Sequence, residues 1–177
     1  MKVRITLFFF ALFLFTRGAG QSLFFEHLGV KDGLSQFTVH DFYQDEFEQM
    51  WIATSDGLNR YDGSKTEAFK PVVGDTTGLF GNNIQRVIGN GKGKLYLQCQ
   101  SGLLEYDLYT QKFKTLIRYG VNNIAYARGK VWIASGSTLK YYDEESRTVK
   151  DHKSFPASVQ IRTLLETTDG TLYVGTN

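Results

Sequence analysis

A chain of 177 residues, 42% hydrophobic, 21% charged and 15% aromatic, is long enough for one domain with its own core, and its composition excludes disordered, collagenous and coiled-coil classes. The formal charge of +2 originates in residues 1–20, which hold Lys2, Arg4 and Arg17 and no acid; beyond them 17 basic residues face 18 acidic ones, so there is no electrostatic case for nucleic acid or an anionic membrane surface. One cysteine, Cys99, excludes an internal disulfide and any multi-cysteine metal site.

Residues 1–20 read as a secretory signal peptide. Lys2 and Arg4 form a positive n-region, Ile5 to Phe15 is an eleven-residue run that is apolar but for Thr6, and Gly18-Ala19-Gly20 places small residues before Gln21. Eleven residues of helix span only about 16 Å, roughly half a hydrocarbon core, which argues for cleavage over anchoring. Residues 21–36 form a lead-in with a short strand expected at Leu23 to His27. Cys99 follows a strand-like run and is expected to be a partly buried, inert thiol.

The remainder, 37–177, is a repeat. Four segments share a core: Met50 to Thr54, Lys94 to Gln98, Lys130 to Ala134 and Thr171 to Gly175, with aromatics at Trp51, Tyr96, Trp132 and Tyr173. Downstream of the first three lies Leu-x-x-Tyr-Asp, ending at Asp62, Asp107 and Asp143. Upstream of each core is another apolar run: Phe37 to Tyr43, Ile84 to Ile88, Ile124 to Ala127 and Ile161 to Leu165. A fourth β-prone run, around Phe69, Phe113 and Val149, closes the first three units. These runs are too short for helices and lie between Gly, Asn and Asp turns. The second strands are apolar at consecutive positions, which requires burial on both faces, as when sheets stack. Four antiparallel strands in about 40 residues, repeated, make a propeller blade. The expected fold is therefore an all-β propeller with units 37–81, 82–120, 121–158 and a partial 159–177. A β-sandwich would not carry the same aromatic and Tyr-Asp marks at a fixed period. About three and a half blades do not close a ring, so the chain reads as the beginning of something longer.

Apparent chemical motifs have plainer readings. Gly89 to Lys94 resembles a phosphate-cradling loop but is followed by a strand, so a hairpin turn is expected. Asp45 to Glu48 is expected to be a solvated turn rather than a calcium loop. His27, His40 and His152 lack metal-ligand spacing. Asp151 to Ser154 holds triad residue types, but neighbours along a strand point to opposite faces. The repeated Tyr-Asp pairs point to architecture, Tyr packing between blades and Asp receiving turn amides. Neither a cofactor nor a metal is expected.

Asp32-Gly33-Leu34-Ser35-Gln36, Val39, Asp45 and the run Trp51 to Gly63 together resemble the opening repeat of the two-component regulator propeller. The resemblance extends over residues 23–177, with departures at Gln98-Cys99-Gln100 and at Ser137-Thr138-Leu139, which lacks the Gly-Leu step. It implies the periplasmic sensor of a hybrid two-component system of Bacteroidetes, reading a small-molecule or oligosaccharide ligand. It further implies a homodimeric parent anchored in the inner membrane, with a β-sandwich, membrane helix, histidine kinase, receiver and DNA-binding domain following; this segment itself would be neither catalytic nor in contact with nucleic acid. The alternative is a secreted propeller enzyme acting on polysaccharide, which would need carboxylates or a Tyr/His pair converging on the channel. Each unit opens its first strand after an amide side chain, Gln36, Asn83, Asn123 and Gln160. In a propeller those positions share one end of the central channel with the loops between second and third strands. The candidate ligand rim is therefore Gln36, Ser55, Asp56, Asn82, Asn83, Gln100, Ser101, Asn122, Asn123, Ser135, Ser137 and Gln160. Such a rim offers donors and acceptors without net charge, which suits a neutral saccharide; the same amides could instead anchor the loops.

Overall fold

The computed structural model describes residues 24–177 except Ser101. The signal-peptide reading, Leu23 and Ser101 lie outside the described residues. Fourteen strands follow in order: β1 (Val39–Gln44), β2 (Met50–Thr54), β3 (Gly57–Tyr61), β4 (Thr66–Phe69), β5 (Ile84–Gly89), β6 (Lys94–Cys99), β7 (Gly102–Asp107), β8 (Lys112–Ile117), β9 (Asn123–Ala127), β10 (Lys130–Ser135), β11 (Thr138–Asp143), β12 (Thr148–Ser154), β13 (Ile161–Glu166) and β14 (Leu172–Thr176). They form three four-stranded antiparallel meanders, β1–β4, β5–β8 and β9–β12, and a two-stranded sheet, β13–β14. This is a propeller with three full blades and the inner half of a fourth.

The expected strand over Leu23 to His27 is not formed along its described part. Phe24 to His27 pair with no strand among the described residues, and Phe24 and Phe25 stand exposed. A strand persists only when a neighbour takes its amides and carbonyls. The chain instead makes a 3-10 turn, Val30–Asp32, and enters β1 two residues after Phe37.

Register makes the blades superimpose. Phe42 pairs with Ile52, Val87 with Leu97, Ile124 with Ile133 and Leu164 with Val174. Because side chains alternate along a strand, these pairs face the preceding sheet, and their neighbours face the following one. Tyr43 and Trp51 thus pack forward onto Val87, Leu95, Leu97 and Tyr106 of the second blade. Ile88 and Tyr96 pack onto Ile124, Val131, Ile133 and Tyr142 of the third. Ala125 and Trp132 pack onto Leu164, Leu172 and Val174 of the fourth. The second strands of the three full blades, β2, β6 and β10, are covered on both sides, as their consecutive apolar residues require, whereas Tyr173 of β14 is exposed.

The repeated Leu-x-x-Tyr-Asp explains itself in this geometry. Tyr106 lies 5.2 Å from Trp51 and Tyr142 lies 6.1 Å from Tyr96, so the third-strand tyrosine of one blade seals the second-strand aromatic of the blade before. The aspartate turns the chain: Asp62 accepts from Ser64 and Lys65 N–H, Asp107 from Tyr109 and Thr110, and Asp143 from Glu145 and Ser146. Asp45 departs from the solvated-turn expectation. It is buried, its Oδ1 accepts from Phe47 and Gln49 N–H, and its Oδ2 accepts the indole N–H of Trp51 at 2.7 Å. The reason is the indole, which is fully buried and needs an acceptor.

Candidate functional site

The antiparallel order puts the starts of β1, β5, β9 and β13 at the same end as the turns after β2, β6 and β10. Backbone bonds join them: Ser55 N–H to Thr38 O, Gln100 N–H to Asn83 O, and Asn122 N–H to Ala134 O. The inner position of the first strands follows from their packing, each lying beside the first strand of the next blade. All described candidate residues therefore gather at one mouth, though in different roles.

Asp56 is the centre of an ionic group. It accepts from Lys70 Nζ at 2.5 Å and from Asn82 Nδ2 at 3.1 Å, a bond that crosses from the first blade to the second. The Lys70 ammonium, then the Asn82 amide, hold its carboxyl below the usual carboxylate range. Ser55 Oγ lies 2.8 Å from His40 Nε2. Gln36 Oε1 accepts the Thr38 N–H. Gln100 occupies a left-handed backbone position in the second of these turns, with φ of 52°. Asn122 Oδ1 accepts Gly136 N–H at 2.7 Å while its carbonyl accepts from Gln98 Nε2. Ser135 ends β10, and the Ser137 carbonyl accepts the Phe155 N–H. Gln160 N–H donates to Asn177 Oδ1, and its side-chain amide donates to Ala157 O. Asn83 Oδ1 is buried and has no partner among the described residues.

Asn123 belongs to a second network that sequence reading missed. Asp41, Arg86, Asn123 and Thr163 stand at equivalent positions, opposite Ala53, Gln98, Ala134 and Gly175. Asp41 Oδ2 accepts the Val87 N–H at 3.1 Å and lies 3.7 Å from Arg86 Nε. Arg86 Nη1 donates to Asn123 Oδ1 at 2.8 Å, and the same oxygen accepts the Leu164 N–H at 3.2 Å. One position per blade thus clasps the next blade. In three of the four blades a register shift in the first strand immediately precedes this position. The partners are 37 to 46 residues apart, so no local pattern announces them.

The other singled-out motifs resolve structurally. Gly89 to Lys94 is a hairpin in which Asn90 Oδ1 accepts from Lys92 and Lys94 N–H. Its flanks are held by carboxylates of the adjoining blades: Glu46 accepts Gly93 N–H, and Glu144 accepts from Tyr96 Oη at 2.7 Å and from Asn90 Nδ2. In β12 His152 packs on Trp132 at 4.9 Å, Asp151 pairs with Lys140, and Ser154 approaches Thr138, so the triad residue types are not brought together. Among the described residues no group of three His, Cys, Asp or Glu side chains could hold a metal ion. No helix of the described residues is long and apolar enough to cross a membrane. A recess of about 590 Å³ beside Trp132, Tyr141 and His152 is the place that third and fourth strands fill in the two preceding gaps.

No family model matches the chain. It is similar to Histidine kinase P4 of Formosa agariphila, 42% identical over 48 residues, which are 27% of this chain and 4% of that protein. In structure it is similar to the extracellular domain of the hybrid two-component system BT3049 of B. thetaiotaomicron, with a TM-score of 0.71 and 25% identity over 85% of this chain and 23% of that one. The extracellular domain of the hybrid two-component system BT4673 of the same organism has the same fold, with a TM-score of 0.65 at 24% identity over 85% of this chain and 20% of that one. The chain thus spans about a quarter or less of these relatives. It carries the propeller repeats found in the extracellular domains of hybrid two-component systems, as the resemblance of its first repeat implies.

Proposed function

We propose that this chain is part of the exported, ligand-sensing propeller of a hybrid two-component sensor, and that the mouth built by the loops after β2, β6 and β10 reads a neutral saccharide. The observation that carries the sensor role is the likeness, in fold and sequence, to an extracellular domain of a hybrid two-component system. The ligand class is supported by the chemistry of the mouth. Asn82 bonds to the Asp56–Lys70 pair, whose charges cancel, and Ser55, Asn83, Gln100 and Asn122 belong to the same end of the sheets. Such a surface recognises hydroxyl-rich neutral solutes by paired donors and acceptors. Domain units of 37–81, 82–120, 121–158 and 159–177, cleavage before Gln21 and a periplasmic location belong to the same reading.

Binding of an oligosaccharide panel to the complete sensor, measured calorimetrically, tests it. Ser55→Ala and Gln100→Ala should weaken binding about tenfold at unchanged melting temperature, the loss of one or two hydrogen bonds. Asn123→Ala should lower stability first, since its amide oxygen clasps two blades. Unchanged affinity in both rim variants refutes the site. A mature protein that retains Met1 refutes the export step.

A further inference from the structure

Between the first two blades the chain makes a detour that the later gaps lack. Fourteen residues, 70–83, join β4 to β5, whereas five join β8 to β9 and six join β12 to β13. Connections of that length without a strand or helix of their own are uncommon in compact folds and are usually functional. Both feet of the detour stand on one carboxylate, since Lys70 and Asn82 each donate to Asp56. Leu79 is buried in the gap between the two blades and fixes the returning limb. Within the detour Val72 O accepts Asp75 N–H at 3.0 Å, and Asp75 Oδ1 accepts the amide and the hydroxyl of Thr77, each at 2.7 Å.

This turn and the start of β8 border a recess of about 490 Å³, lined by Asp75, Thr77, Gly78, Gln111, Lys112 and Phe113. One wall carries a carboxylate and the other an ammonium, and neither belongs to an ion pair among the described residues. The Thr77 hydroxyl, then its amide, hold the Asp75 carboxyl below the usual carboxylate range, so it is charged at neutral pH. Gly78 has no side chain to crowd the other carboxylate oxygen: a Cβ there would stand 2.6 Å from Asp75 Oδ2. The Phe113 ring is held by Tyr106 at 4.5 Å and by Phe69 at 6.1 Å, which gives the recess a fixed apolar surface. The arrangement is not a feature of the repeat. In the next gap the register puts Thr148 where Lys112 stands, and the connection 118–122 holds no acid.

We infer that this recess binds a small zwitterion, an α-amino acid with an apolar side chain, whose ammonium meets Asp75, whose carboxylate meets Lys112 and whose side chain lies on Phe113. The volume is that of a small-molecule site. A ligand with both signs satisfies both charged walls by charge-assisted hydrogen bonds; a cation or an anion satisfies one, and a neutral solute neither. The site lies wholly within the first two blades, and the turn before β8 is at the end of the sheets opposite the mouth. It is therefore independent of the sensor reading.

Calorimetric titration of the full chain with L-leucine tests it. Leucine should bind, while leucinamide, which lacks the carboxylate, and N-acetyl-leucine, which lacks the ammonium, should each bind about tenfold more weakly or worse. D-glucose should not compete with leucine. Lys112→Gln should abolish the preference for leucine over leucinamide, and Asp75→Asn the preference for leucine over N-acetyl-leucine. Asparagine keeps an acceptor for the Thr77 amide, and far-ultraviolet circular dichroism of each variant establishes that it is folded. Ser55→Ala, at the mouth, should leave leucine binding unchanged. No binding of leucine overturns the inference. So do equal binding of leucine and its two derivatives, an unchanged preference in both charge variants, competition by glucose, or weaker leucine binding in Ser55→Ala.

Discussion

Asp45 offers the sharpest test of how this propeller is held. Replacing it with Ala removes three hydrogen bonds at once, to Phe47 N–H, Gln49 N–H and the Trp51 indole. The indole is fully buried against Phe69 and Tyr106, with no solvent to replace the lost acceptor. A buried donor without a partner costs about 1–3 kcal/mol, and each partly exposed turn amide adds about 0.5 kcal/mol, so the expected loss is about 3 kcal/mol. Trp51→Phe removes the N–H and keeps an aromatic ring in the gap. In that background Asp45→Ala should cost about 2 kcal/mol less, the difference being the coupling between carboxylate and indole. Urea denaturation followed by far-ultraviolet circular dichroism, at one fixed protein concentration, measures all four proteins. An equal loss in both backgrounds would refute the indole bond as the reason for the burial. So would a loss under about 1 kcal/mol in the Trp51 protein.

Gly102 begins β7 where an added Cβ would stand 2.6 Å from Ile117 O and 2.7 Å from Arg118 O, so Gly102→Ala should destabilise by about 2 kcal/mol or more in the same denaturation assay. Acid should loosen the turns between third and fourth strands. The Asp143 carboxyl is held at about 2 by Lys150 and by turn amides, and Asp62 and Asp107 are lowered by turn amides. A depressed folded value stabilises above the unfolded value near 4 and is lost as pH falls towards the folded one, so the melting temperature should drop between about pH 4 and 2. Asp143→Asn should flatten part of that drop; an unchanged profile refutes the assignment. Burial pushes the Cys99 thiol up to about 12, so it should resist iodoacetamide at pH 8 in the native protein and react fully in denaturant. Rapid native labelling would contradict its packing between the first two blades.

Sequence alone determined the repeat, the strands and most turns of this protein, because those features are written in short-range periodicity. Trp51, Tyr96, Trp132 and Tyr173 recur with their flanking residues, Leu-x-x-Tyr-Asp follows three of them, and consecutive apolar residues in a strand demand a sheet on each side. Tertiary structure decided what lies across the gaps. Asp41, Arg86 and Asn123 differ in type, so their shared position as clasps appears only when the blades are superimposed. Asn123 looked like one rim amide among several; its oxygen is committed to the second and fourth blades by partners 37 and 41 residues away. Asp45 carried the pattern of a solvated turn, and only the buried indole beside it explains its burial. The lead-in residues Phe24 to His27 have strand composition, yet a strand needs a neighbour, and the neighbour is a matter of tertiary arrangement. Local sequence fixes which atoms can bond; which of them meet depends on the stacking of sheets whose contacts lie some forty residues apart.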